Sequence, residues 1–249
     1  EGLTYEVRMP ASCPAAGCGL ILDVHGFTMS GDMEDANTGL RALGEANGYV
    51  VVQPTANGSP ASWSEADYDD VYSFLLDAMT LGVDPDRVHV TGFSQGGQLT
   101  FGMVCRWPET FASAAPGAAA GGECFVGGGT PPATQVPMLQ IHGTSDPLVA
   151  FSTGTAQRDG VIAAYGLGAG TPVASGAGSA RMRYENADGV VLEFLQHDHS
   201  AGGILGGHCY PGSTDPVGLP NQLFAFGCTP PSGFVYGAEV MDFFLAHPR

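Results

Sequence analysis

Five short apolar runs, four of them followed within two residues by glycine or proline, set the fold class of this sequence. They lack the apolar–polar alternation expected of a strand that has one face in water. Strands of a parallel sheet, which are covered on both faces, have this composition. The runs are predicted as buried strands at Leu20–Val24, Tyr49–Val52, Val88–Thr91, Met138–Ile141 and Val190–Leu195.

Helical patterns lie between these runs. The clearest has apolar residues on one helical face, among them Val71, Phe74 and Leu75. Thr4–Met9 alternates and is predicted as an antiparallel edge strand. Strand–helix alternation predicts an α/β fold, a doubly wound and mostly parallel sheet with helices on both faces. The predicted helices cover about Met33–Ala46, Ala66–Leu81, Gln95–Arg106, a segment that includes Val161–Tyr165, and Ala238–Ala246.

Three segments are predicted as irregular connections. Ala118–Pro132 and Ser200–Ser232 are rich in glycine and proline, and Gly166–Gly178 consists of small residues typical of a flexible surface segment. The length of 249 residues suits one large α/β domain over residues 1–249, without a separate lid domain. No apolar run reaches the roughly 18–20 residues that a membrane-spanning helix needs.

The charge of the chain excludes some classes of partner. The formal net charge is −17, and all eight basic residues are arginine. Such a surface repels a phosphate backbone, so we expect no nucleic-acid partner. An anionic membrane surface is disfavoured for the same reason. We expect a monomer that uses no cofactor and no metal.

The six cysteines indicate an oxidising compartment. Pairing in sequence order closes three short loops, although fifteen pairings are possible in principle. We read the beginning at Glu1, which is neither Met nor an apolar leader, as a mature secreted form. The predicted disulfides are Cys13–Cys18, Cys105–Cys124 and Cys209–Cys228.

A G-x-S-x-G motif, Gly92-Phe93-Ser94-Gln95-Gly96, follows a predicted strand and precedes a predicted helix. This context is typical of a nucleophilic serine held on a sharp turn. The turn needs small neighbours, and Gly92, Gly96 and Gly97 supply the room. The motif predicts Ser94 as a nucleophile.

A serine hydroxyl needs a base, and the base needs an orienting acid. Asp146 comes just after the Met138–Ile141 strand and is the predicted acid. His208, between Gly207 and Cys209, is the predicted base. His197 and His199 lie closer to the end of the preceding strand and remain alternatives, although an H-x-H pair also suits a metal.

The oxyanion of an acyl-transfer intermediate needs backbone donors. The Gln95 N–H, directly after the nucleophile, and the Phe27 N–H, in the loop after Val24, are the candidates. His25 and His142 are interpreted as structural, hydrogen-bonding histidines.

The sequence resembles the polyhydroxybutyrate depolymerase and feruloyl/acetyl-xylan esterase group of α/β-hydrolases. The resemblance runs from about Leu3 to the final helix and implies secreted ester hydrolysis by Ser94, His208 and Asp146. Two departures concern Phe93, where tannase-like relatives have a cysteine, and Tyr210, where family members often have tryptophan. The matching motifs are Asp23-Val24-His25-Gly26, Gly92-Phe93-Ser94-Gln95-Gly96-Gly97, His142-Gly143-Thr144-Ser145-Asp146 and Gly206-Gly207-His208-Cys209-Tyr210-Pro211-Gly212.

The resemblance leaves the substrate open. A polyester or hydroxyalkanoate is the first expectation, and plant cell-wall feruloyl or acetyl-xylan esters are the second. A catalytically inactive protein that binds polymer or carbohydrate is the third, whereas a serine peptidase usually has an added domain. Trp63, Phe27 and Tyr210 are candidates for an aromatic substrate subsite, with Trp63 equally suited to packing.

Overall fold

Alternate residues of the central strands face two separate hydrophobic layers. The computed structural model describes residues 2–13, 17–213, 226–229 and 232–249. Leu20 and Leu22 pack in one core cluster, while Ile21 between them packs in the other. Both faces of the sheet are therefore buried, as the continuous apolar runs predict.

The strands of the described residues form one sheet in the order β1-β3-β2-β4-β5-β6-β9-β8-β7. Six central strands run parallel, and the edges formed by β1 and by β8 and β7 are antiparallel. The strands are β1 (Thr4–Arg8), β2 (Cys18–Val24), β3 (Tyr49–Thr55), β4 (Val83–Phe93), β5 (Ser113–Gly117), β6 (Met138–Gly143), β7 (Thr171–Val173), β8 (Ser179–Glu185) and β9 (Val191–His197).

Helices cover both faces, which confirms the predicted fold class. Residues of α3, α4 and α5 belong to the first core cluster. Residues of α2 and α6 belong to the second, and α1 packs against α6 on that side. The helices are α1 (Gly31–Thr38), α2 (Leu40–Asn47), α3 (Glu65–Met79), α4 (Gln95–Arg106), α5 (Phe151–Tyr165) and α6 (Tyr236–Ala246).

The segment predicted as one helix over Met33–Ala46 is two helices. Gly39 lies between them with a φ of 64°, in the left-handed region that ends a helix. The Gly39 N–H bonds the Asp35 carbonyl and closes α1. The apolar periodicity continues across this break, so the pattern alone did not reveal it.

Three strands were not predicted. β5 consists of small residues and contains Pro116, so it has no apolar run to mark it. β7 lies inside Gly166–Gly178 and corrects the prediction of a flexible connection there. β8 is half-exposed beside the edge strand β7, which explains its weak apolar signal. The irregular segment Ala118–Pro132 is confirmed, and of Ser200–Ser232 the residues 214–225 and 230–231 lie outside the described residues.

All three predicted disulfides are confirmed. Cys13–Cys18, Cys105–Cys124 and Cys209–Cys228 have Cα–Cα separations of 5.8, 5.7 and 5.1 Å. Among the described residues, no helix is long and apolar enough to cross a bilayer.

Candidate active site

Ser94 occupies a strained turn between β4 and α4. Its backbone has a φ of 56° and a ψ of −117°, a conformation that side-chain-bearing residues rarely adopt. The turn is held in place because the Ser94 N–H bonds the Gly117 carbonyl at 2.8 Å, across to β5. The side chain therefore stands at the carboxyl edge of the sheet, at the N-terminus of α4.

The flanking glycines allow this turn to lie close to its neighbours. A Cβ atom on Gly96 would lie 1.9 Å from the Val24 carbonyl oxygen, and one on Gly92 would lie 2.6 Å from the same atom. A Cβ on Gly97 would lie 2.6 Å from the Gly117 carbonyl oxygen. The prediction that small residues flank Ser94 for steric reasons is confirmed.

Asp146 follows β6 at the same edge of the sheet and holds His208. Its Oδ2 atom lies 2.7 Å from Nδ1 of His208, and both side chains are buried. Its Oδ1 atom accepts the N–H groups of Leu148 and Val149, each at 2.8 Å. The carboxylate is thus fixed on its own loop while it orients the imidazole.

Backbone hydrogen bonds also hold the chain segment around His208, here called the His208 segment, against the loop that carries Asp146. The Gly207 N–H bonds the Ser145 carbonyl at 3.1 Å, and the His208 N–H bonds that of Leu205 at 2.8 Å. The ring of Phe93, next to Ser94, lies 4.8 Å from the His208 ring. Several independent contacts therefore fix the position of this histidine.

Ser94 and His208 line one cavity of about 380 Å³. The alternative bases do not line it. His197 is buried elsewhere, beside a different cavity, and burial lowers its pKa to about 4. The Nε2 atom of His199 accepts from the Gly233 N–H at 3.4 Å. The geometry thus brings together Ser94, His208 and Asp146, and leaves His197 and His199 apart from them.

The two candidate oxyanion donors lie at this cavity or next to it. Phe27 lines the cavity, and its N–H donates to no backbone carbonyl of the described residues. Gln95 is the first residue of α4, and the first N–H groups of a helix have no acceptor within it. The Gln95 side chain bonds both the N–H and the carbonyl of Trp63, at 2.9 and 3.1 Å. That pairing fixes the loop beside Ser94.

His25 and His142 are structural, as expected. Nδ1 of His25 donates to the Gly26 carbonyl at 2.6 Å, and Nε2 accepts the Ala56 N–H at 3.0 Å. Burial lowers the pKa of His25 to about 4, so the ring is neutral. The Nε2–H group of His142 donates to the Val149 carbonyl at 2.8 Å.

Two of the three predicted subsite aromatics are corrected. Tyr210 is fully buried, does not line the cavity, and donates its hydroxyl to Glu34. Trp63 is 6% exposed, its indole N–H bonds the His25 carbonyl at 2.8 Å and it does not line the cavity, so the structure supports packing, the alternative left open for it. The polar group of each ring makes its hydrogen bond inside the protein, so both rings lie in the interior and not in the cleft. Only Phe27, which is 49% exposed, stands at the cavity.

Most of the apolar residues that line the cavity were not predicted from the sequence. Ile204 and Leu205 lie in a glycine-rich loop, Gly202-Gly203-Ile204-Leu205-Gly206-Gly207, and such an apolar pair in an otherwise polar loop is a usable signal. The other missed lining residues gave no comparable signal. They are Met29, Leu148, Val149 and Phe226. No group of three or more potential metal ligands lies together in the part of the chain that is described.

The chain is similar to known carboxylesterases. The Phospholipase/Carboxylesterase family matches residues 64–178, a segment that contains Ser94 and Asp146. A bifunctional acetylxylan esterase/xylanase of Neocallimastix patriciarum is 28% identical over 154 residues, covering 60% of this chain and 22% of that protein. A poly(3-hydroxybutyrate) depolymerase of Ralstonia pickettii is 26% identical over 261 residues, covering 85% of this chain and 52% of that protein.

Solved structures show the same fold. An acetyl xylan esterase from Aspergillus awamori has a TM-score of 0.68 at 15% identity, over 97% of this chain and 93% of that one. The chain spans between 22% and 47% of the length of the first curated relatives it matches. The sheet order, the strand–turn–helix around Ser94 and the similarity to solved structures show the α/β-hydrolase fold, and the sequence is similar to those of acetylxylan esterases, feruloyl esterases and polyhydroxybutyrate depolymerases.

Proposed function

We propose that this protein is a secreted serine esterase that hydrolyses carboxylic esters through an acyl-enzyme. The proposal rests above all on one observation. Ser94 and His208 line the same cavity, and the imidazole of His208 is held by Asp146 at 2.7 Å. This arrangement can activate a serine hydroxyl, which is a weak nucleophile on its own.

In the proposed reaction His208 removes the Ser94 proton while Oγ attacks the ester carbon. The N–H groups of Phe27 and Gln95 stabilise the oxyanion of the tetrahedral intermediate. His208 then protonates the leaving alcohol, and the acyl group stays on Ser94. A water molecule repeats the two steps, releases the acid and restores the serine.

The cavity favours apolar ester substrates. Eight of its twelve described lining residues have apolar side chains, and none is aspartate, glutamate or arginine. Leu148 and Ile204 are 57% and 63% exposed at its mouth, where substrate can cover them. A sugar needs several hydrogen-bonding partners, whereas a hydroxyalkanoate or other polyester presents methylene and methyl groups. We therefore favour a polyester substrate over feruloyl or acetyl groups on xylan.

Secretion is part of the proposal. Three disulfides connect the six cysteines, and such bonds persist in oxidising compartments.

Labelling with a fluorophosphonate and turnover of p-nitrophenyl butyrate test the activity. Ser94→Ala should lose both, while its circular dichroism spectrum stays that of the wild type. Ser152→Ala, at an exposed position of α5, is the matched control and should keep both. Labelling or turnover that persists in Ser94→Ala refutes the assignment of Ser94 as the nucleophile. A wild-type protein that shows neither labelling nor turnover supports a non-catalytic binding protein.

The polyester preference has its own test. Ile204→Ser and Leu148→Ser should lower kcat/KM for p-nitrophenyl octanoate about tenfold, with less effect on the acetate, because lost apolar contact costs about 1–3 kcal/mol. Leu81→Ser is the control, since Leu81 is an exposed leucine that does not line the cavity. Product analysis on polyhydroxybutyrate film and feruloylated xylan completes the comparison. Release from xylan alone contradicts the polyester preference.

A further inference from the structure

Two carboxyl groups are buried together below the site, and the proposed mechanism does not use them. Asp23 lies on β2 and Glu34 on α1, and both are completely buried. Glu34 is within hydrogen-bonding range of Asp23. Each has one carboxyl oxygen, Oδ1 of Asp23 and Oε1 of Glu34, without a hydrogen-bond donor among the described residues. Two adjacent carboxylates would repel each other strongly in this setting, whereas a single shared proton supplies the missing donor.

The surroundings suit a pair with one proton. Asp23 Oδ2 accepts from the amide of Gln53 at 2.6 Å and from the hydroxyl of Thr38 at 3.2 Å, so it has the donors of an ionised carboxylate. Burial, followed by the nearby charge of Asp23, raises the pKa of Glu34 well above its usual value. Burial also raises the pKa of Asp23, to about 7. Glu34 is therefore the partner that keeps the proton.

Glu34 also contacts the segment that carries His208. The Tyr210 hydroxyl, two residues beyond His208, donates to Oε2 of Glu34 at 2.6 Å. One helical turn further along α1, Asn37 accepts the Ser213 hydroxyl at 3.0 Å. The Tyr210 ring stacks on Phe93 at 4.0 Å, next to Ser94. The His208 segment is thus anchored on α1, and the first of its anchors is the buried acid.

Asp23, on the other side of the pair, belongs to the strand that leads to the oxyanion loop. β2 ends at Val24, and Phe27 follows three residues later. The contact between Asp23 and Glu34 therefore sets the spacing between the element that supplies an oxyanion donor and the element that anchors the base. A misplacement of about 1 Å between such groups can cost about 100-fold in rate.

We propose that Glu34 is a positioning residue for the ester hydrolysis proposed above. It shares one proton with Asp23 and, through Tyr210, holds His208 in position. Loss of the shared proton places two carboxylates side by side in the core and separates β2 from α1. The rate then falls because His208 and the oxyanion donor move apart, while apolar substrate binding changes little. The other ionisable groups that face the pair are Asp35 on α1, Arg41 on α2, Tyr236 on α6 and Tyr210 itself.

The variant Glu34→Gln distinguishes the positioning role of Glu34 from a role in packing alone. The Glu34→Gln side chain can accept from Tyr210 and donate to Asp23, but it has no proton to lose. We expect Glu34→Ala to lower kcat about 10–100-fold with KM within about twofold. Glu34→Gln should keep most of the kcat at neutral pH and should lose the alkaline decline in kcat that the wild type shows. Tyr210→Phe should lower kcat without restoring activity at alkaline pH.

The measurement is kcat and KM for p-nitrophenyl butyrate from about pH 6 to about pH 9. Glu109→Gln, on an exposed side chain far along the chain, is the control for a lost acidic charge. Infrared difference spectroscopy gives a readout that needs no turnover, since a protonated carboxyl has its own C=O band. At about pH 8, above the pKa of Asp23, the wild type should show this band and Glu34→Gln should lack it.

The outcomes separate the two proposals. Absent turnover in the wild type overturns the proposed function and this inference with it. Normal turnover, with the pH profile of Glu34→Gln equal to that of the wild type, overturns this inference alone. A wild type without the protonated-carboxyl band also overturns it, whatever the activity.

Discussion

His208 and Asp146 are 62 residues apart in the sequence, yet Nδ1 of the histidine lies 2.7 Å from Oδ2 of the aspartate. The other carboxylate oxygen is occupied by two backbone N–H groups, from Leu148 and Val149. Asp146 therefore cannot rotate away without losing three hydrogen bonds. An imidazole held in this way presents its Nε2 atom in one direction.

Replacing the orienting acid should reduce activity and leave the fold intact. Asp146→Asn keeps the shape of the side chain but offers the histidine an amide, which favours the wrong tautomer. We expect kcat for p-nitrophenyl butyrate to fall about 10³–10⁴-fold, as in triads of this type. Asp188→Asn, at an exposed turn, is the matched control. A loss below about tenfold would remove Asp146 from the catalytic group.

The glycines around Ser94 should differ from other glycines of the chain in their tolerance of alanine. Gly96→Ala places a methyl group 1.9 Å from the Val24 carbonyl oxygen, so the turn or β2 must move. We expect the free energy of unfolding to fall by about 3 kcal/mol or more. Gly39→Ala has open space and only the strain of its positive φ, and should lose about 1–2 kcal/mol. Urea denaturation compares them, and equal losses contradict the steric explanation.

Two disulfides offer a matched comparison of stability and activity. Cys105–Cys124 and Cys209–Cys228 both join residues 19 apart in sequence. Replacing either pair by serine should therefore lower the free energy of unfolding by a similar amount, about 3 kcal/mol. Only loss of Cys209–Cys228 should also lower kcat, because Cys209 is directly bonded to His208 in the chain. A comparable fall in kcat for both variants, at a temperature where both are folded, would argue against this role.

Acid should destabilise the protein partly through His25. Burial lowers its pKa to about 4, whereas an unfolded chain binds this proton near pH 6.5. Between these values the unfolded state holds more protons, so the free energy of unfolding falls as the pH drops and is unaffected above about 6.5. Urea denaturation from about pH 7 to 4 should show a slope smaller by about 1.4 kcal/mol per pH unit in His25→Gln. An unchanged slope would show that His25 is not buried neutral.

The sequence by itself determined the local elements. Leu20–Val24 and Met138–Ile141 are strands because an uninterrupted apolar run is stable only where both faces are covered. Gly92-Phe93-Ser94-Gln95-Gly96 specifies its turn because glycine alone fits the close approaches around Ser94. The sequence also predicted that the cysteines pair in order, because each pair closes a short loop, and the structure confirmed this choice among fifteen possible pairings.

Only the tertiary structure decided which side chains meet. Three candidate histidines lie at the end of β9 or after it, and the choice of His208 depends on its contact with a carboxylate 62 residues away, which no local pattern encodes. Tyr210 was predicted from the sequence as a cleft residue. In the structure its hydroxyl lies in the core, because it donates a hydrogen bond to Glu34, 176 residues away. Such contacts depend on how β2, α1 and the His208 segment pack. A buried polar group without a hydrogen-bond partner costs free energy, and its partner is often a residue that is distant in the sequence.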